Sequence, residues 1–140
     1  MKPYILFEHT ADIGMEIYGE TQKELFQNAA WAVMDVMIKK KNGRPLPEQT
    51  RAIEIEGTDA ADLLVNFLRE ILYLFNGQKV IVEACNIKTI QSQKIEAILT
   101  EIPFDQRKHA IKRELKAVTY HLLSVTKENK KWKARVVFDV

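Results

Sequence analysis

Glu54-Ile55-Glu56-Gly57-Thr58-Asp59-Ala60-Ala61-Asp62-Leu63-Leu64 mirrors Glu16-Ile17-Tyr18-Gly19-Glu20-Thr21-Gln22-Lys23-Glu24-Leu25-Phe26. In each copy a strand-like run ends at a glycine, a capping side-chain oxygen follows two residues later, and an acid stands at the third helical position, near the positive end of the helix dipole. Thr21 followed three residues later by Glu24 is a capping-box signal. The two stretches read as a duplicated strand-turn-helix unit.

Working outward, Leu25, Phe26, Ala29, Ala30, Val33, Met34 and Met37 recur at helical spacing and predict a helix from Gln22 to Ile38. Leu63, Leu64, Phe67, Leu68, Ile71, Leu72 and Phe75 align on one face of a second helix, Ala60 to Phe75, which Asn76-Gly77 is expected to end. Tyr4 to Glu8 and Ile13 to Tyr18 read as strands on either side of the polar loop His9-Thr10-Ala11-Asp12. The stretch from Lys39 to Pro47 concentrates charge, Gly and Pro and reads as an exposed loop. Beyond Lys79 the chain turns β-rich, with Val80 to Ala84, Gln93 to Glu101, Ala117 to Val125 and Trp132 to Phe138 all favouring strands. Strands flanking two helices give an α+β fold, with the two helices packed on a mostly antiparallel sheet. The 140 residues, 46% hydrophobic and 29% charged, suit one domain with one core, spanning 1–140.

A net charge of +2, from 21 basic and 19 acidic side chains, is too balanced for a whole-surface polyanion binder, so any nucleic-acid contact must be local. The single Cys85 cannot form an intramolecular disulfide, and Met1-Lys2-Pro3-Tyr4 leads straight into strand-like residues without a signal-peptide pattern. A reducing, cytoplasmic setting is expected, with Cys85 buried among Val80 to Ala84 and inert. The most apolar stretch, Leu63 to Phe75, is interrupted by Asn66, Arg69 and Glu70, so no membrane span is expected.

Asp12 lies in a short loop between strands, where a carboxylate either caps the turn or meets a hard cation; taken alone, the cap is the stronger reading. The run from Trp132 to Val140 stays strand-like to its last residue and puts carboxylates at Asp139 and Val140. Bringing Asp12 to that end would gather three anionic oxygen groups, whose repulsion a divalent cation relieves; all-oxygen ligands select calcium, magnesium or manganese over zinc. A solvated chain end near an unrelated turn fits the spacing as well. His9, His109 and His121 lack zinc-ligand spacing; His121 suits an exposed or hydrogen-bonded strand position, and His9 adjoins the Asp12 loop. Gln106 to Lys116 is the densest basic stretch, fit for a phosphate backbone, an acidic partner or a solvated connection. No hydrolase elbow, P-loop, dinucleotide glycine pattern or Ser-His-Asp arrangement is readable, which argues against a familiar nucleotide-binding catalyst.

Phe7-Glu8-His9-Thr10-Ala11-Asp12-Ile13-Gly14, Glu114-Leu115-Lys116-Ala117-Val118-Thr119-Tyr120-His121 and Val136-Val137-Phe138-Asp139-Val140 together resemble the archease family, over the whole chain. The resemblance implies a small, non-catalytic cytoplasmic cofactor protein for the RtcB-type RNA ligase, which joins RNA ends in tRNA splicing through a guanylylated histidine of its own. Such a protein promotes guanylylation and multiple turnover, and RNA contact is expected to run through the ligase. The resemblance also implies a divalent cation, typically calcium, held by the aspartate of the His-Thr-Ala-Asp motif and the last two residues, here Asp12, Asp139 and Val140. Family members commonly end in Asp-Ile; with backbone oxygen as the final donor, Val140 should ligate equally well. A basic residue of the Lys108-His109 segment resembles one that matters in related proteins, so His9, Lys108 and His109 complete the candidate functional residues. The rival readings are a chaperone-like or RNA-binding module using residues 107–116, and a small metal-dependent hydrolase.

Overall fold

A computed structural model describes residues 2–9, 11–41, 43 and 46–140, the side chain of His9 excepted. In chain order its elements are β1 (Tyr4–His9), β2 (Asp12–Gly19), α1 (Gln22–Met37), β3 (Ile38–Lys40), β4 (Gln49–Glu56), α2 (Ala60–Gln78), β5 (Val80–Ile90), β6 (Lys94–Pro103), β7 (His109–Ile111), β8 (Ala117–Glu128) and β9 (Lys131–Asp139). The fold is α+β, and the strand pairs described are antiparallel.

The duplicated unit is present down to its hydrogen bonds. Thr21 caps α1 by accepting from the Glu24 N–H, and Glu24 accepts in return from the Glu20 N–H; Asp59 caps α2 through the Asp62 N–H, and Asp62 accepts from the Thr58 N–H. These reciprocal bonds satisfy donors that a helix start leaves without partners. One helical turn on, Asn28 donates to the Tyr18 carbonyl and Asn66 to the Glu56 carbonyl, each tying its helix back to its strand. The glycines are needed for closeness: a Cβ on Gly19 would lie 2.5 Å from the Leu25 nitrogen, and one on Gly57 2.6 Å from the Leu63 nitrogen.

The duplication extends beyond these joints into the sheets. The inner copy, β4-α2-β5-β6, forms a sheet of order β4-β6-β5; the outer copy, β2-α1 with β8-β9, forms the order β2-β9-β8, with β1 added at its edge. The inner unit is therefore inserted whole between α1 and β8 of the outer one. Each helix also packs across to the other unit, α1 on β5 and α2 on β8. Phe26 and Phe67 meet at 5.7 Å where the helices face each other in the core. Tyr120 of β8 donates to the Asp62 carboxylate, and Gln27 of α1 accepts from the Ile87 N–H of β5.

Some expectations are corrected. Asn76-Gly77 does not end the second helix, which runs to Gln78; Asn76 donates to the Leu115 carbonyl, and Lys79 takes the left-handed capping position with its N–H on the Leu74 and Phe75 carbonyls. Lys39 and Lys40 belong to β3 instead of an exposed loop, because the insertion must begin and end close together: β3 pairs with β7, and Lys112 donates its N–H to the Met37 carbonyl. Asn42, Arg44 and Pro45 of that expected loop lie outside the described residues. Cys85 is half-buried, and burial pushes its thiol up to about 12, which leaves it unreactive. No helix among the described residues is long and apolar enough to cross a membrane.

Asp59→Ala should cost about 1 kcal/mol through its lost cap. Gly57→Ala should cost more, about 2 kcal/mol or above, since its Cβ meets backbone that cannot yield. Urea denaturation of both variants checks the order; a milder Gly57→Ala would show that strand and helix need no such close approach.

Candidate functional site

The candidate site grows from the end of the four-stranded sheet. β1 and β2 form a hairpin whose outermost pair is His9 with Asp12, and the pairing of β2 with β9 ends at Ile13 with Phe138. One residue beyond that pair stand Asp12 on β2 and Asp139 on β9, on adjacent strands. Ile13 and Phe138 are buried toward the core, so strand alternation sends Asp12 and Asp139 to the opposite face. On the far side of β9, Ala117 pairs with Asp139, and the Lys116 N–H donates to the Asp139 carbonyl at 2.8 Å. The three motif segments thus meet at one place, at Asp12, Ala117 and Asp139.

Asp12 is half-buried, while Asp139 and Val140 are exposed. This end of the sheet is therefore open to solvent and to a partner. Among the described residues no group of three or more His, Cys, Asp or Glu side chains converges. The two side-chain carboxylates available here are those of Asp12 and Asp139, so a complete ligand set for a hard cation would need main-chain oxygen from Val140 and water, donors of the class calcium and magnesium accept.

The platform under this end was not read from the sequence as chemistry. Phe7 lies across Gly14, its partner on β2: a Cβ on Gly14 would sit 2.1 Å from the Phe7 ring. Val137, the β9 partner of Gly14, is fully buried, and the Arg135 guanidinium covers the Phe7 ring at 5.1 Å. Arg135 also donates to Glu16 at 2.7 Å, and the Tyr18 hydroxyl donates to the same carboxylate at 2.6 Å. The Tyr18 bond first, then the Arg135 bond, hold the Glu16 carboxyl below its usual range against a smaller opposing effect of burial. The glycine inside an otherwise regular strand was the available signal, since such a residue marks a close approach.

Of the other candidates, His9 stands at this end and the rest lie elsewhere. His9 closes the β1–β2 hairpin through its backbone, its side chain being outside the described residues. His109 opens β7 of the β3–β7 ribbon, and Lys108 adjoins it, its carbonyl accepting from the Lys41 N–H. His109 is buried, accepts from the Asp105 N–H through Nδ1 at 3.0 Å and stacks on Phe104. It anchors a turn, so the basic stretch is not merely a solvated connection. His121 is exposed on β8, in an irregular stretch where Leu122 adopts φ 55°.

The model of the Archease protein family matches residues 4–140. The chain is 36% identical to protein archease of Methanosarcina barkeri, over 99% of this chain and 97% of that one. It is 33% identical to protein archease of Pyrococcus abyssi over the full length of both. Among solved structures it resembles a Methanobacterium thermoautotrophicum protein determined in solution, with TM-score 0.78 and 29% identity over 100% of each chain. It also resembles a Thermotoga maritima crystal structure described as an archease and possible chaperone, with TM-score 0.65 and 25% identity, covering 96% of this chain and 94% of that one.

Gly14→Ala should destabilise the protein by about 1–3 kcal/mol by lifting the Phe7 ring. In a Phe7→Ala background the same change should cost far less, because the clash is gone. Equal costs in both backgrounds, measured by urea denaturation, would refute the role given to the ring.

Proposed function

The chain belongs to the archease family, and on that premise we propose that it is a non-catalytic, cytoplasmic activator of an RtcB-type tRNA-splicing RNA ligase, promoting ligase guanylylation and repeated turnover. The observation that supports this reading is the position of Asp12 and Asp139 on adjacent strands, each one residue beyond the last β2–β9 pair, at an open sheet end. Sequence segments far apart in the chain meet there, at a surface a larger partner can reach.

In this reading Asp12 and Asp139 supply carboxylate oxygens and Val140 main-chain oxygen to a divalent cation, calcium first, with magnesium or manganese as alternatives of the same ligand class. The cation would neutralise the adjoining carboxylates and offer positive charge to phosphate oxygens. The protein's own part is to hold these oxygens in place: the β2–β9 ladder sets their spacing, and the Lys116 N–H fixes the Asp139 backbone. Docked at the ligase active-site entrance, the tip would position nucleotide for attack by the ligase histidine. Positioning and charge stabilisation are the means most useful in phosphoryl transfer, where the protein has little covalent work to do. At this tip, RNA is met through the ligase.

Asp12→Ala and Asp139→Ala should each fold and bind calcium at least tenfold more weakly by titration calorimetry. Each should also lose stimulation of a cognate ligase supplied with GTP and divalent cation, in single-turnover guanylylation and in multiple-turnover ligation. Normal stimulation by either folded variant would end the proposal; lost stimulation with unchanged calcium affinity would remove the cation and keep the docking surface.

A further inference from the structure

The basic ribbon formed by β3 and β7 is not used by the tip described above, yet it borders a distinctive cleft. Trp31 of α1, 44% exposed, forms one wall of a cavity of about 380 Å³ lined also by Ile38, Lys39, Lys40, Ile81 and Lys112. A second cavity of about 220 Å³, reaching Lys41, Lys108 and His109, shares Lys40 and Glu83 with the first, so the two adjoin at that ion pair as a trough beside the ribbon.

Its charge is more one-sided than its composition suggests. Two carboxylates line the larger cavity, and both are engaged: Glu83 by Lys40, and Asp35 by Lys2 at 3.2 Å and the Tyr4 hydroxyl at 2.6 Å. Lys39 and Lys112 carry no salt bridge among the described residues, and Lys41 and Arg113 adjoin them, exposed, at the ribbon ends. Tyr4 packs on Trp31 in an edge-to-face arrangement with ring centroids 6.0 Å apart, and Trp31 stays half-exposed. A half-exposed indole beside the exposed ammonium groups of Lys39 and Lys112, the latter also near enough to help hold the Asp35 carboxyl below its usual range, matches what single-stranded nucleic acid requires, a π-face for the base and cations for the backbone.

We propose that this trough binds single-stranded RNA, with one base stacked on Trp31 and the adjoining phosphates on Lys39 and Lys112. A duplex hides its base faces and could use only the lysines. An acidic protein segment would use the lysines without needing the indole. Sequence preference should be slight, because stacking tolerates every base. The inference is independent of the ligase reading and of the tip at Asp12.

Fluorescence anisotropy with a labelled oligouridine of about twelve nucleotides tests it on the protein alone. Trp31→Ala should weaken binding about tenfold, and Trp31→Phe should restore most of it, with circular dichroism confirming that both fold. The double variant Lys39→Gln/Lys112→Gln should weaken binding and flatten the dependence of log affinity on log salt by about 1.4, the share of two phosphates on a single strand. Unchanged binding by folded Trp31→Ala would overturn the proposal. So would full competition by polyglutamate at equal charge, which would assign the trough to an acidic protein.

Discussion

The pairing of β2 with β9, from Ile13 with Phe138 to Gly19 with Trp132, is the constraint on which the rest of the molecule depends. It joins residues more than a hundred positions apart, as the Glu16–Arg135 ion pair shows at a separation of 119. Closing a loop of that length costs roughly 2 kcal/mol more than closing one of ten residues. The fold reduces the difficulty by nesting. The inserted unit has its own helix and three-stranded sheet, and the β3–β7 clasp brings its two ends together, so the outer ladder closes over a short effective loop. That ladder also carries Asp12 to Asp139, so the architecture and the candidate site have one cause.

Symmetry between the units explains why the core is continuous. Each helix starts from the same glycine joint and the same reciprocal cap, then packs partly on its own sheet and partly on the other unit's. Asp62 shows the consequence: the acid that closes the cap of α2 also accepts from Tyr120 of β8, with Arg69 lying over the Tyr120 ring. The surfaces diverge where the core does not constrain them. One end of the outer sheet is open and acidic, whereas the clasp is basic and flanked by an exposed indole.

What the sequence made legible follows from the range of the interactions. The duplicated unit could be read because capping is local: Thr21 with Glu24 and Asp59 with Asp62 are three residues apart, and apolar spacing fixed the helix faces. The end of α2 could not, since the stop that Asn76-Gly77 signals is overridden by an Asn76 bond to Leu115, 39 residues away. β3 and β7 are too short to show alternation, and three lysines in a row resemble a loop when the partner strand is unseen. The closeness of Asp12 to Asp139 is a matter of long-range register that no periodicity encodes; the archease resemblance supplied it. Likewise, the buried role of His109 depends on Phe104 and on the Asp105 backbone, and the residue type carried no sign of it.

The end of the outer sheet is the surface proposed to do the work. The most direct measurement is amide hydrogen exchange of this protein, free and mixed with the RtcB-type ligase proposed as its partner. The account predicts added protection around Asp12, Lys116–Ala117 and Asp139–Val140, with the β4-β6-β5 sheet unchanged. Protection confined to that inner sheet, or to the β3–β7 clasp, would contradict it.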